Sequence, residues 1–291
     1  MNNLVKMNEA DFLASKPTSQ IGRLLLESGK IGYEDIAAIM AVQKEKDMRF
    51  GDAALHLGLV DENDIKNVLS QQFAYTRILD KTSILDRRLV AAFQPDSLQA
   101  EALRSLRSEL MLRYFNKAPH LSLALVGTED ALGIALTTAN LAIVFAQMGV
   151  RTLLIDANLR APQLHTLFAI NDRNTGLSDL LAGRPAAEPV EIQDFPSLCV
   201  LPAGTPAPNP QELLGSKHYS ECLRNLKSSF DVILISTPPA NSTRDAQLIA
   251  SQTGSCLLVA KQHESRFKDV ENLCASLSAL GVRFLGVALR Q

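Results

Sequence analysis

Residues 121–147 read LSLALVG-TEDALGIAL-TTANLAIVFAQ: a continuous apolar run, a short polar loop, then an apolar stretch too long for a strand. A short run without polar alternation reads as a strand buried on both faces, and the longer stretch reads as a buried helix. Strand, loop, helix is where a parallel α/β domain places a phosphate-binding loop. Outward from this unit the strand pattern recurs in RTLLIDA (151–157), SLCVLPAG (197–204), FDVILIS (230–236), SCLLVAK (255–261) and FLGVALR (284–290). Helical stretches lie between them at HYSECLRNLKSS (218–229) and KDVENLCASLSALG (268–281). Apolar strands separated by helices imply right-handed βαβ units, hence an α/β fold with a parallel sheet covered on both faces.

The length of 291 residues leaves room for a small domain beside this larger one. A net charge of -2 gives no electrostatic pull toward nucleic acid or an anionic membrane surface, so neither is an expected partner. The four cysteines, Cys199, Cys222, Cys256 and Cys274, are widely spaced without a C-x-x-C pair, which argues against both a zinc site and a disulfide framework. No segment approaches the roughly 18 apolar residues of a spanning helix, and MNNLVKMNEADFLASK at the start lacks the apolar run of a secretory signal. The expected location is cytoplasmic, at the inner membrane only through a partner.

Before residue 96 the pattern changes. Gln20 to Gln43 overlays Arg49 to Gln72 at an offset of 29 residues: Ile21, Gly22, Leu25, Gly29, Ile36, Met40 and Gln43 in the first copy match Phe50, Gly51, Ala54, Gly58, Ile65, Leu69 and Gln72 in the second. Each copy reads as a short helix closed by glycine, a turn with acidic capping residues and a second amphipathic helix. The expected organisation is a tail over 1–16, a helical repeat domain over 17–76, a linker over 77–95 and the α/β domain over 96–291. Within the last, LQAEALRSLRSELMLRYF is strongly helical and puts Glu101, Arg104 and Arg107 three apart on one face.

A working phosphate loop ends in G-K-[ST], where backbone N–H groups cradle the phosphates, lysine neutralises their oxygens and the hydroxyl holds magnesium. Here the tripeptide is Gly133, Ile134, Ala135. Glu129 and Asp130 add carboxylates to the same loop, and each near contact with a phosphate would cost on the order of 1–4 kcal/mol. The simplest structural role for Asp156 is a helix cap at a strand end, and for the loop a βα connection with Ile134 and Leu136 packed inward.

EALRSLR, TTANLAIVFAQMG, LLIDANLRAPQLHTLF, GLSDLLAG, LPAGTPAPNPQELL and FDVILISTPPA together resemble, in this order, the bacterial tyrosine kinases of polysaccharide export, in particular the EpsG type, within the ParA/MinD-like P-loop superfamily. The resemblance implies that Ile134 and Ala135 occupy the lysine and magnesium-hydroxyl positions, that Asp156 is kept while Asn158 replaces a second aspartate, and that Ser236 replaces the Walker B aspartate. It also puts Arg290 at an asparagine that lies near adenine. Gly133, Asp156 and Arg290 are thus the vestige of a nucleotide site, with no catalytic residue expected to function. Glu101, Arg104 and Arg107 match an E-x-x-R-x-x-R element that contacts a neighbouring subunit. The N-terminal repeat resembles the MshEN-like domain of type II secretion and pilus ATPases, which implies Gly22, Gln43, Arg49, Gly51 and Gln72 as a cyclic di-GMP set.

The resemblance therefore implies a pseudokinase that regulates or scaffolds exopolysaccharide synthesis and export. Its partners would be an inner-membrane chain-length determinant protein and further copies of itself or an active kinase. No cofactor and no metal are expected. Two alternatives stay open: a tyrosine autokinase completed in trans, which would use ATP and Mg, and a cyclic di-GMP receptor.

Overall fold

The computed structural model describes residues 20–65, 83–118, 121–171, 175–184 and 188–291. The chain divides into two compact units, Met1–Arg77 and Ile78–Gln291.

In the first unit, helices α1 (Gln20–Glu27), α2 (Tyr33–Lys46) and α3 (Phe50–His56) are followed by a helical turn at residues 62–65. The 29-residue repeat is visible as repeated hydrogen bonding. Gly29 and Gly58 stand at φ +67° and +68°, and Lys30 N–H donates to Leu25 C=O as Leu59 N–H donates to Ala54 C=O. This left-handed closure releases each first helix into a turn, where glycine avoids the Cβ penalty. Each turn is then capped by an acid: Asp35 accepts from Gly32 N–H and Asp64 from Asp61 N–H. Leu25, Ile31 and Ile36 in the first copy, with Ala54 and Val60 in the second, bury a small shared core.

The second unit opens with α4 (Val90–Phe93), α5 (Leu98–Arg113) and a 3-10 turn at Phe115–Lys117. It continues as β1 (Leu121–Gly127), α6 (Ala131–Ala146), β2 (Thr152–Asp156), α7 (Leu164–Leu167), α8 (Leu177–Leu181), β3 (Val190–Ile192), β4 (Phe195–Leu201), α9 (Pro210–Leu214), α10 (Lys217–Lys227), β5 (Val232–Ser236), α11 (Asp245–Thr253), β6 (Ser255–Lys261), α12 (Phe267–Ala279) and β7 (Arg283–Arg290). The strands form one sheet in the order β3-β4-β2-β5-β1-β6-β7. All neighbours are parallel except β3, which pairs antiparallel with β4.

Alternation along β1 divides the core into two layers. Leu123 and Leu125 face one cluster with α5 and α6, whereas Ala124 and Val126 face another with α10, α11 and α12. Helix α6 is apolar all round because it is covered all round, lying between the sheet and helices α4 and α5.

The parallel sheet expected from the sequence is present, with one addition: the short segment Val-Glu-Ile doubles back as an antiparallel edge. One expectation is corrected here. The linker expected over 77–95 is, in its described part, core: Leu85, Leu89, Ala91 and Ala92 pack in the same cluster as α6. Asn140 of α6 fastens it, accepting from Ala91 N–H at 2.9 Å while its amide donates to Arg88 C=O.

Candidate functional site

The ends of β1, β2 and β5 and the start of α6 converge, because parallel strands deliver their C-terminal ends to one edge. Asp156 pairs in register with Ser236 across β2 and β5. At the start of α6, Asp130 is the N-cap: one carboxylate oxygen accepts from Gly133 N–H at 2.8 Å, and the other accepts from Arg290 Nη1 at 2.6 Å. A Cβ on Gly133 would lie 1.6 Å from that Arg290 nitrogen and 2.1 Å from the Asp130 oxygen. The bare glycine is what lets the ion pair sit across the helix start.

Ile134 and Ala135 do not face this space. Both are buried in the cluster under α6, Ile134 at 1% exposure and pressed toward Gly127 of β1. Asp156, also at 1% exposure, accepts from the backbone N–H groups of Asn158, Gln163 and Leu164 at 3.1, 2.9 and 2.9 Å. It thereby caps α7. Burial pushes its carboxyl up to about 6, and the three N–H donors offset part of that rise.

Asn158 has its own closed arrangement. Its side-chain oxygen accepts from Ala161 N–H at 3.1 Å and its amide donates to Ala161 C=O at 2.9 Å. An amide can do both, whereas an ionised carboxylate only accepts. Asn158→Asp would set a carboxylate oxygen against the Ala161 carbonyl, two residues from Asp156, and should destabilise the unit by about 2 kcal/mol in urea unfolding. A neutral result would show that the loop relaxes away from Ala161.

At this strand edge the Ile134 side chain lies inside the core, Ala135 offers no hydroxyl, and Asp156 spends its oxygens on backbone N–H groups. Among the described residues no group of three or more His, Cys, Asp or Glu side chains could hold a metal ion.

The charged face of α5 is tied largely to its own chain. Arg104 donates to Glu101 and to Pro95 C=O, and Arg107 to Val144 C=O, each at 2.8 Å; Glu101 remains outward. In the first unit Arg49 is exposed at the N-cap of α3, Gln43 is half-buried, and Gly22 and Gly51 are buried. Gln72 lies outside the described residues. Of the tyrosines, Tyr33 is exposed, whereas Tyr219 is fully buried and Tyr114 nearly so, its hydroxyl donating to Ser122 C=O; Tyr75 lies outside the described residues. No helix among the described residues is long and apolar enough to cross a membrane.

Sequence reasoning named both Asp130 and Arg290 but missed their pairing. Asp130 was legible as an extra carboxylate in the loop, and its place three residues before Gly133 signals a cap. Nothing local links it to Arg290, 160 residues away.

The putative tyrosine-protein kinase CapB of Staphylococcus aureus is 32% identical over 201 residues, covering 68% of this chain and 86% of that relative. The chain belongs to the bacterial tyrosine-protein kinase family. A second member, the tyrosine-protein kinase wzc of Salmonella typhi, is 35% identical over 206 residues, which is 69% of this chain but 28% of the relative's length. The chain therefore spans under a third of that larger member. The kinase domain of the Escherichia coli tyrosine kinase ETK superposes with a TM-score of 0.65 at 28% identity, over 74% of this chain and 84% of that domain. No family model matches the chain.

Proposed function

We propose that this chain is a catalytically silent, EpsG-type member of the family that works by binding, as a regulatory or scaffolding subunit of exopolysaccharide synthesis and export. The observation that carries the reading is the inward burial of Ile134 and Ala135 at the positions where the family's phosphate chemistry needs a lysine and a hydroxyl. Phosphoryl transfer is accelerated almost entirely by positioning and electrostatic stabilisation. A site without the neutralising cation, the metal hydroxyl and the Walker B carboxylate lacks the means to supply it. Each missing charge-assisted bond corresponds to about 1.5–3 kcal/mol.

The same resemblance supports docking on an inner-membrane chain-length determinant protein, with self-association or association with an active kinase through the exposed part of α5. The purified chain incubated with radiolabelled ATP and magnesium should release phosphate at the buffer rate and carry no label. Stoichiometric autophosphorylation, or steady phosphate release by chain free of contaminating kinase, would overturn the reading.

A further inference from the structure

The pair Asp130–Arg290 does more than a helix cap requires. A capping carboxylate needs one oxygen on the N–H groups of the first turn; here the second oxygen is held at 2.6 Å by a guanidinium from the last strand. Together the two contacts reproduce what a phosphate oxygen meets in a phosphate loop, a backbone N–H and a cation. The cation comes from a new direction. Arg290 ends β7, and its backbone C=O accepts from Gln262 N–H, which fixes the strand end beside β6. Both side chains keep partial access to solvent, at 26% and 38% exposure.

We propose that Asp130 is an internal substitute for phosphate, an autoinhibitory contact that occupies the loop and takes up Arg290, a guanidinium placed to stand in for the missing lysine. The inference rests on the reading of this site as silent toward ATP, and deepens it by naming the residue that excludes phosphate. An incoming phosphate ester would have to break both contacts and face the displaced carboxylate. With Asp130 gone, Arg290 and the first turn of α6 would lose the one carboxylate that meets them both, and Glu129 would remain as the acid of the loop, turned toward Asn241.

Asp130→Ala tests this in the full chain, by calorimetric titration with inorganic pyrophosphate in metal-free buffer. The wild type should give no measurable binding and the variant at least about tenfold tighter association, the factor expected from one charge-assisted bond regained. Arg290→Ala in the Asp130→Ala background should abolish the gain. Because alanine also removes the helix cap, Asp130→Asn is measured alongside: asparagine still accepts from Gly133 N–H but frees Arg290, and should show a smaller gain in the same direction. Pyrophosphate binding by the wild type, no gain in either single variant, or a gain that survives loss of Arg290 would each overturn the proposal. None of these results depends on ATP turnover by the wild type, so failure here and failure of the silent-kinase reading are separate outcomes.

Discussion

Ile134→Lys, which restores the family's lysine on paper, should destabilise the larger unit by about 4 kcal/mol at neutral pH and leave ATP turnover at background. The native side chain is 1% exposed and packs among Leu123, Leu125 and Phe145 between α6 and the sheet. An ammonium forced into that layer has neither water nor a carboxylate to face, and burial of this kind lowers a lysine pKa by several units, each about 1.4 kcal/mol. The sign of the pH dependence identifies the cause. A lysine whose folded pKa lies below its unfolded value is costly at low pH, and the cost disappears as pH rises toward about 10. Urea unfolding of the variant at pH 7 and pH 9.5 should therefore show partial recovery at the higher pH. A variant as stable as the wild type and active toward Mg·ATP would mean that position 134 can reach the phosphate loop.

Asp156→Ala is expected to cost about 3 kcal/mol at pH 7.5, measured by the same unfolding experiment. Its carboxylate serves the N–H groups of Asn158, Gln163 and Leu164, and Leu164 has no access to solvent that could replace the lost acceptor. The gap should widen in acid. Burial pushes the Asp156 carboxyl up to about 6 from an ordinary value of 3.8, so between these pH values the folded chain holds a proton that the unfolded chain has released. Its contribution to stability is full below about 4 and is lost as pH rises through about 6. Alanine lacks this contribution, so the difference between wild type and variant should be about 2 kcal/mol larger at pH 4.5 than at pH 7.5. An unchanged gap would show that the three N–H donors outweigh burial.

How far the sequence anticipates this molecule depends on where the stabilising contacts are. Strands β1, β2, β5 and β6 are legible because a strand covered on both faces must be apolar along its middle, as LALV, LLI, VILI and CLLVA are. Helix α11 was not legible: in DAQLIASQT, Gln247 is buried along with Ile249 and Ala250, so no polar stripe marks its outer face. The segment 83–95 reads as a linker because its structure depends on Asn140 and Gln147, both on the far side of β1 in sequence. At the site, residue types at Ile134, Ala135, Asn158 and Ser236 could be read directly. Their local geometry could not, because the pair of hydrogen bonds between Asn158 and Ala161 and the grip of Arg290 on Asp130 are set by the path of the chain rather than by composition.

The burial of Tyr114 and Tyr219 has a consequence for the chemistry of acceptors. These are the two tyrosines of the chain after residue 77, and in the folded state both rings are enclosed by their own unit. A neighbouring enzyme that hands phosphate to phenol oxygens would find none to receive it on that part of the native molecule. Phosphotyrosine recovered from that part would report on chains that had come apart, and native receipt of phosphate would fall to the part of the chain before residue 78, where Tyr33 is exposed.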